Sequence, residues 1–144
     1  MNLFGMLELS GSALGAERQR AEVVASNMAN AQTTRTPAGG PYRRQMVVFQ
    51  SQRMPRFSLA LAGGHREVSA AVRVAAVLSD TRAPVLRFEP GHPDADKQGY
   101  VAYPQVDPIE EMTDLLGAVR AYELNASAIQ ATKGMIQQSL DLLR

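Results

Sequence analysis

The chain has 144 residues, no cysteine and no tryptophan, with 15 basic against 14 acidic side chains and a formal net charge of +1. That composition excludes disulfide stapling and thiolate metal sites, and no apolar run approaches the ~18 residues that a membrane-spanning helix needs. Charge is unevenly spread: residues 1–73 hold nine Arg against four Glu, a net of +5, and residues 74–144 hold six basic against ten acidic groups, a net of −4. Halves of opposite sign are expected to attract head to tail between subunits, within a Debye length of about 8–10 Å.

The first residues, Met1 to Gly5, lack the basic stretch followed by an apolar run that marks a Sec-type leader, so none is expected. A helical arm follows. Leu7, Leu14, Ala21 and Met28 recur every seven residues, with Val24 and Ala25 thickening the stripe, while Arg18, Arg20 and Glu22 face outward. Small residues dominate this stripe, which predicts a flat, close-fitting packing surface. Asn27 and Asn30 supply residues tolerant of the left-handed conformation, and Pro37 supplies the breaker that ends the helix. Ala38-Gly39-Gly40-Pro41 is then a strong turn signal.

From Tyr42 to Gln50 the pattern predicts an extended segment, and residues 51–66, with Pro55, Gly63 and Gly64, predict a mobile loop. The apolar period then changes to two. Val68, Ala70, Val72, Val74, Ala76 and Leu78 alternate with Ser69, Ala71, Arg73, Ala75, Val77 and Ser79, the pattern of a half-buried strand. Shorter strands are expected at Val85 to Glu89 and Gly99 to Tyr103, separated by the turn-rich run from Pro90 to Asp96.

A long helix closes the chain. Asp107 is its expected N-cap, Pro108 its first residue, and Glu110 is placed to reach back to the cap's N–H. Met112, Leu115, Val119, Tyr122, Ala126, Ile129, Ile136, Leu140 and Leu143 fall on a heptad seam interrupted only by Lys133. A helix of about 35 residues, about 50 Å long at 1.5 Å per residue, with one narrow apolar edge needs another helix to cover that edge. On this reading the C-terminal segment is largely disordered in dilute monomer. Gly117 and Gly134 inside it each cost about 1 kcal/mol relative to alanine. The expected fold is mainly α with a small β module: an N-terminal helical arm (1–36), a β-rich middle (37–106) and a C-terminal heptad helix (107–144), the two long helices pairing as a coiled-coil-like stem.

Catalytic machinery is hard to find in this chain. His65 and His92 are the only histidines, and no glycine-rich phosphate loop follows a strand. His92, Asp94 and Asp96 could be drawn as metal ligands, but two prolines and a glycine in the same stretch favour a rigid turn whose carboxylates bond backbone N–H groups. Arg35, Arg43, Arg44, Arg53 and Arg56 cluster without the aromatic platforms and charge excess of a nucleic-acid binder. No cofactor, small-molecule substrate or nucleic-acid partner is therefore expected.

Three blocks carry a family resemblance. Ser12-Ala13-Leu14, Glu17-Arg18-Gln19-Arg20, Val23 through Ala31 and Thr33-Thr34-Arg35-Thr36-Pro37 resemble the N-terminal signature of bacterial flagellar rod proteins, with Asn27, Asn30 and Thr33 as the rod motif. Gly39-Gly40-Pro41-Tyr42-Arg43-Arg44 and the block Glu89 through Met112 narrow the resemblance to the branch that builds the proximal rod. Arg120-Ala121-Tyr122-Glu123-Leu124-Asn125 and Ala131-Thr132-Lys133 match the C-terminal pattern. Gln32 departs from the asparagine usual there, and residues 51–83 match nothing recognisable.

The resemblance implies a structural subunit of a hollow, helically arranged drive shaft spanning the periplasm in the flagellar basal body. It implies delivery by the flagellar type III export apparatus without a cleaved signal peptide. The implied partners are the rod proteins FlgB, FlgF and FlgG, the adaptor FliE and the rod cap FlgJ. A cytosolic coiled-coil adaptor or chaperone would share the seam but form a small closed oligomer, and an enzyme would need a pocket of perturbed acid–base groups that the sequence does not offer.

Overall fold

The computed structural model describes residues 3–55 and 68–142. Their element order is α1 (Leu3–Ala29), β1 (Gln45–Pro55), β2 (Val68–Ser79), β3 (Val85–Phe88), β4 (Tyr100–Tyr103) and α2 (Pro108–Asp141). The protein is mainly α with two small antiparallel sheets, β1 with β2 and β3 with β4. None of the described helices is long and apolar enough to cross a membrane.

The long helix starts where capping chemistry places it. Asp107 is extended (φ −95°, ψ 113°), and its carboxylate accepts a 2.9 Å hydrogen bond from the Ile109 N–H, with Pro108 following in the first turn. Glu110 does not close the expected capping box. Its carboxylate lies 3.4 Å from Arg44 Nη2, a charged partner that outcompetes a neutral N–H.

Helix α1 ends without any left-handed residue, since among the described residues only Gly39, Gly40 and Gly99 have positive φ. Side chains close it instead. Asn30 Nδ2 donates to the Ser26 carbonyl at 2.9 Å, and Thr33 Oγ1 donates to Asn30 Oδ1 at 3.1 Å. The chain then turns through Thr36–Gly40, closed by a 2.8 Å bond from Thr36 N to Gly40 O.

The β1–β2 ribbon pairs Gln45 with Ser79 through to Pro55 with Val68, with one register shift at Val48/Phe49 that leaves Ala75 as the extra residue. Strand β1 therefore runs on through residues 51–55, which the sequence reading placed in a loop. Ladder hydrogen bonds to the alternating strand opposite outweigh the loop signal of Pro55, which sits at the strand's end, where proline is tolerated. The rest of that predicted loop lies outside the described residues.

Helix α1 packs along α2 on one side and against β2 and β1 on another. Ser12 fixes the ribbon to α1: its hydroxyl donates to Leu9 O at 2.8 Å and accepts from Val72 N at 3.0 Å. Among the described residues the buried apolar side chains are few and mostly small, Ala16, Val24, Ala71, Val101 and Ala118, which leaves little hydrophobic volume between the elements. With 34 residues against 27, α2 outruns α1 by about two turns.

Candidate assembly site

The end of α1, the start of β1 and the first turn of α2 meet at a buried polar knot. Asn27 is 1% exposed and Glu111 is 0% exposed, each too deep for water to satisfy it. Asn27 uses both ends of its amide. Nδ2 donates to Gln45 O (2.8 Å) and to Glu111 Oε2 (3.0 Å), and Oδ1 accepts from Gln45 N and Tyr42 OH, both at 2.9 Å.

Glu111 receives a second, charge-assisted bond on Oε1 from Arg44 Nε. Arg44 Nη2 also faces Glu110 at 3.4 Å and Asp114 at 3.5 Å, and Arg20 Nη2 reaches Asp114 Oδ1 at 3.3 Å. Burial alone pulls the Arg44 pKa down. The hydrogen bond to Glu111 and the charges of Glu111, Glu110 and Asp114 reverse that and hold it above its ordinary value, so the guanidinium stays charged.

These contacts also change the meaning of the charge asymmetry. Arg20, Arg35 and Arg44 from the basic half pair with Asp114, Asp94 and Glu111 from the acidic half. Much of the expected attraction between subunits is thus spent inside one subunit.

Along the stem the packed edge of α2 is the line Glu111, Ala118, Asn125 and Thr132, buried except for the half-buried Asn125. Heptad spacing is present, but shifted one residue from the most apolar line. Of the seam residues named from sequence, Leu115, Ala126, Ile129 and Ile136 are half-buried, Met112, Val119, Tyr122 and Leu140 are exposed, and Leu143 lies outside the described residues. On α1, Val24 is buried, and Leu7, Leu14, Ala21 and Met28 are half-buried. A shallow apolar groove runs between Ala21, Ala118, Val119 and Tyr122, with Glu17 and Arg18 on its rim. Because α1 fills only one side, exposed apolar residues remain over much of α2: Met112 (54%), Leu116 (55%), Leu124 (72%) and Leu140 (59%).

The rod-motif residues divide their roles. Asn27 is the hub of the knot, while Asn30 and Thr33 close α1 and hold the linker, with the Tyr42 N–H donating to Thr33 O at 3.0 Å. The sequence pattern does not disclose that Tyr42 and Glu111 bond Asn27, the latter across 84 residues, or that Arg44 completes the knot through Glu111. The available signal was the heptad phase of Glu111 with Ala118, Asn125 and Thr132.

The turn at 90–96 is built as a turn. Asp96 Oδ1 accepts from Gln98 N and Tyr100 N at 2.8 and 2.9 Å, His92 Nδ1 accepts from Asp94 N at 3.1 Å, and Asp94 Oδ2 takes the Thr34 hydroxyl at 2.8 Å. The three side chains bond into the fold rather than converging on a point. Among the described residues no group of three or more His, Cys, Asp or Glu could hold a metal ion.

Comparison with known proteins agrees with these features. Residues 7–35 match the family described as flagella basal body rod protein, and residues 97–142 match the flagellar basal body rod FlgEFG protein C-terminal family. The chain is 40% identical over 148 residues to the flagellar basal-body rod protein FlgC of Bacillus subtilis, covering 99% of each chain. It is 38% identical over 154 residues to FlgC of Borreliella burgdorferi (100% of this chain, 99% of the relative) and 39% over 142 residues to that of Escherichia coli O157:H7 (99% and 98%). With family matches at both ends and full-length relatives at this identity, the chain belongs to the FlgC family of flagellar basal-body rod proteins, whose role is structural and not catalytic.

Proposed function

We propose that this chain is a subunit of the proximal rod, assembling through α1 and α2 as a coiled-coil-like stem into the hollow drive shaft and export channel that span the periplasm. Membership of the family supports the location, and the stem supports the mode of assembly. The observation that carries the reading is the one-sided partnering of α2. A 34-residue helix covered along one edge, with Met112, Leu116, Val119, Leu124 and Leu140 exposed, has apolar surface to bury against a neighbour. Partners on this reading are FlgB, FlgF and FlgG, the adaptor FliE, the rod cap FlgJ and the export apparatus, through which the chain passes without a cleaved signal peptide.

A rod component gives cells without hooks or filaments when its gene is deleted, and the intact chain restores them. Val119→Asp places a charge on the exposed face without touching the knot, so the expected result is normal synthesis with loss of incorporation into purified basal bodies. A deletion strain that still builds filaments, or purified protein that forms only a small closed oligomer in the cytosol, would overturn the proposal.

A further inference from the structure

Two exposed helix faces of this chain fit each other in size and in charge. On α2, Met112 and Leu116 form an apolar ridge one turn before Arg120 and Glu123, and all four are exposed. The side chains of Arg120 and Glu123 make no ion pair or hydrogen bond among the described residues. On α1 the outward face reads, from its C-terminal end backwards, Ala29, Ala25, Glu22, Arg18, Gly15 and Gly11, again all exposed. Nothing lies within 4 Å of where a Cβ would stand on Gly11 or Gly15.

Laid antiparallel with Met112 opposite Ala29, the two faces match along their length. Met112 and Leu116 fall opposite Ala29 and Ala25, large side chains over small ones. Next along, Arg120 and Glu123 fall opposite Glu22 and Arg18, each charge facing its opposite. Ser127 and Ala131 then meet Gly15 and Gly11, where backbones can approach closely. Arg18 and Glu22 are joined at 2.9 Å with side chains 76% and 60% exposed, so both keep acceptor and donor capacity for a second partner.

Within one molecule this contact cannot form, because α1 already meets α2 through other faces: Asn27 bonds Glu111, and Arg20 pairs with Asp114. We infer that the Met112–Leu116 ridge, with Arg120 and Glu123, receives the outward face of α1 from a second copy of this chain, antiparallel. The inference rests on the rod reading and names the neighbour that the exposed face takes. On the rod reading each copy gives its α1 face to one neighbour and receives the α1 of another on α2, which makes the contact heterologous and lets it propagate, where a reciprocal exchange between two copies would close into a dimer.

The cysteine-free sequence makes the test direct. Ala25→Cys and Leu116→Cys are introduced together, and basal bodies from oxidised cells are run without reductant. The expected result is a ladder of dimers and higher multimers, absent from either single variant. Incorporated protein that stays monomeric, that links only to a different protein, or whose single-cysteine variants alone form dimers overturns the inference while leaving the rod reading intact. A second experiment does not depend on cysteines. Exchanging Arg18 and Glu22 (R18E with E22R) keeps the pair within α1, and exchanging Arg120 and Glu123 (R120E with E123R) reverses the opposite face. Each exchange alone should reduce motility at least several-fold, and the two combined should restore it. Failure of the combination to exceed either exchange alone would overturn the inference.

Discussion

Glu111 ties the charged side of the knot to its hub, Asn27. It is a carboxylate with no exposed surface, held by Arg44 on one oxygen and Asn27 on the other. Removing Glu111 takes an acceptor from the buried Asn27 amide and leaves Arg44 only the more exposed Glu110 and Asp114, so the cost falls toward the low end of the ~3–5 kcal/mol for breaking a buried pair. Glu111→Ala should therefore lower the midpoint of urea denaturation strongly, while Glu111→Gln, which keeps an acceptor for Asn27 or Arg44, should lower it less. Replacing Arg44 and Glu111 together by Met and Leu should cost less than Glu111→Ala alone, because no charge is left stranded. Equal losses in all three variants would show that the knot contributes packing and not electrostatics. None of this was readable locally: Glu111 in sequence is one acidic residue in a helix's first turn, a position where acidic residues are common for dipole reasons. Its depth follows from a partner 84 residues earlier.

Among the elements, legibility followed how local the cause was. The extent of strand β2 was visible because its alternation is written in consecutive residues, and the start of α2 because Asp107 and Pro108 act within one turn. The buried face of β2 was not, since Ala71 is buried while Ala76 and Leu78, beyond the register shift, are exposed. The edge of α2 that packs on α1 was not visible either, because it is lined by Glu111, Ala118 and Thr132, one residue off the apolar line of Met112 and Val119. Small and paired polar side chains permit the close approach, and a hydrophobicity pattern cannot register them. The docking of the β1–β2 ribbon rests on a similar small residue. Ser12 bonds the Val72 N–H, and Ser12→Ala leaves that donor without its partner, so a loss of about 1 kcal/mol is expected, with faster amide exchange at Val72 than at Val77. Unchanged exchange at Val72 would mean that the ribbon is held by its apolar contacts alone.

Taken as a whole, the described residues form a hairpin of two unequal helices carrying two small sheets, with little apolar core to share among them. The expectation that the two ends depend on neighbouring copies meets a partial answer in the fold. Helix α1 supplies α2 with one partner inside the chain, and the faces turned away from it stay apolar. Opening should then be graded along α2. Amide exchange on the dilute monomer is expected to be slowest near Glu111 and Ala118 and fastest from Ile136 onward, where α2 has outrun α1. Incorporation into the rod should slow the whole helix. Uniform slow exchange along α2 in the monomer would show that the stem is complete without a neighbour.

The knot also sets a timetable. Its hub, Asn27, belongs to the first fifth of the chain, and the carboxylate it needs comes only with residue 111. A polypeptide delivered from its amino end therefore has no way to fasten the stem until more than three-quarters of its length has arrived. On the proposed export route the stem stays unfastened for most of the passage, until the start of α2 arrives.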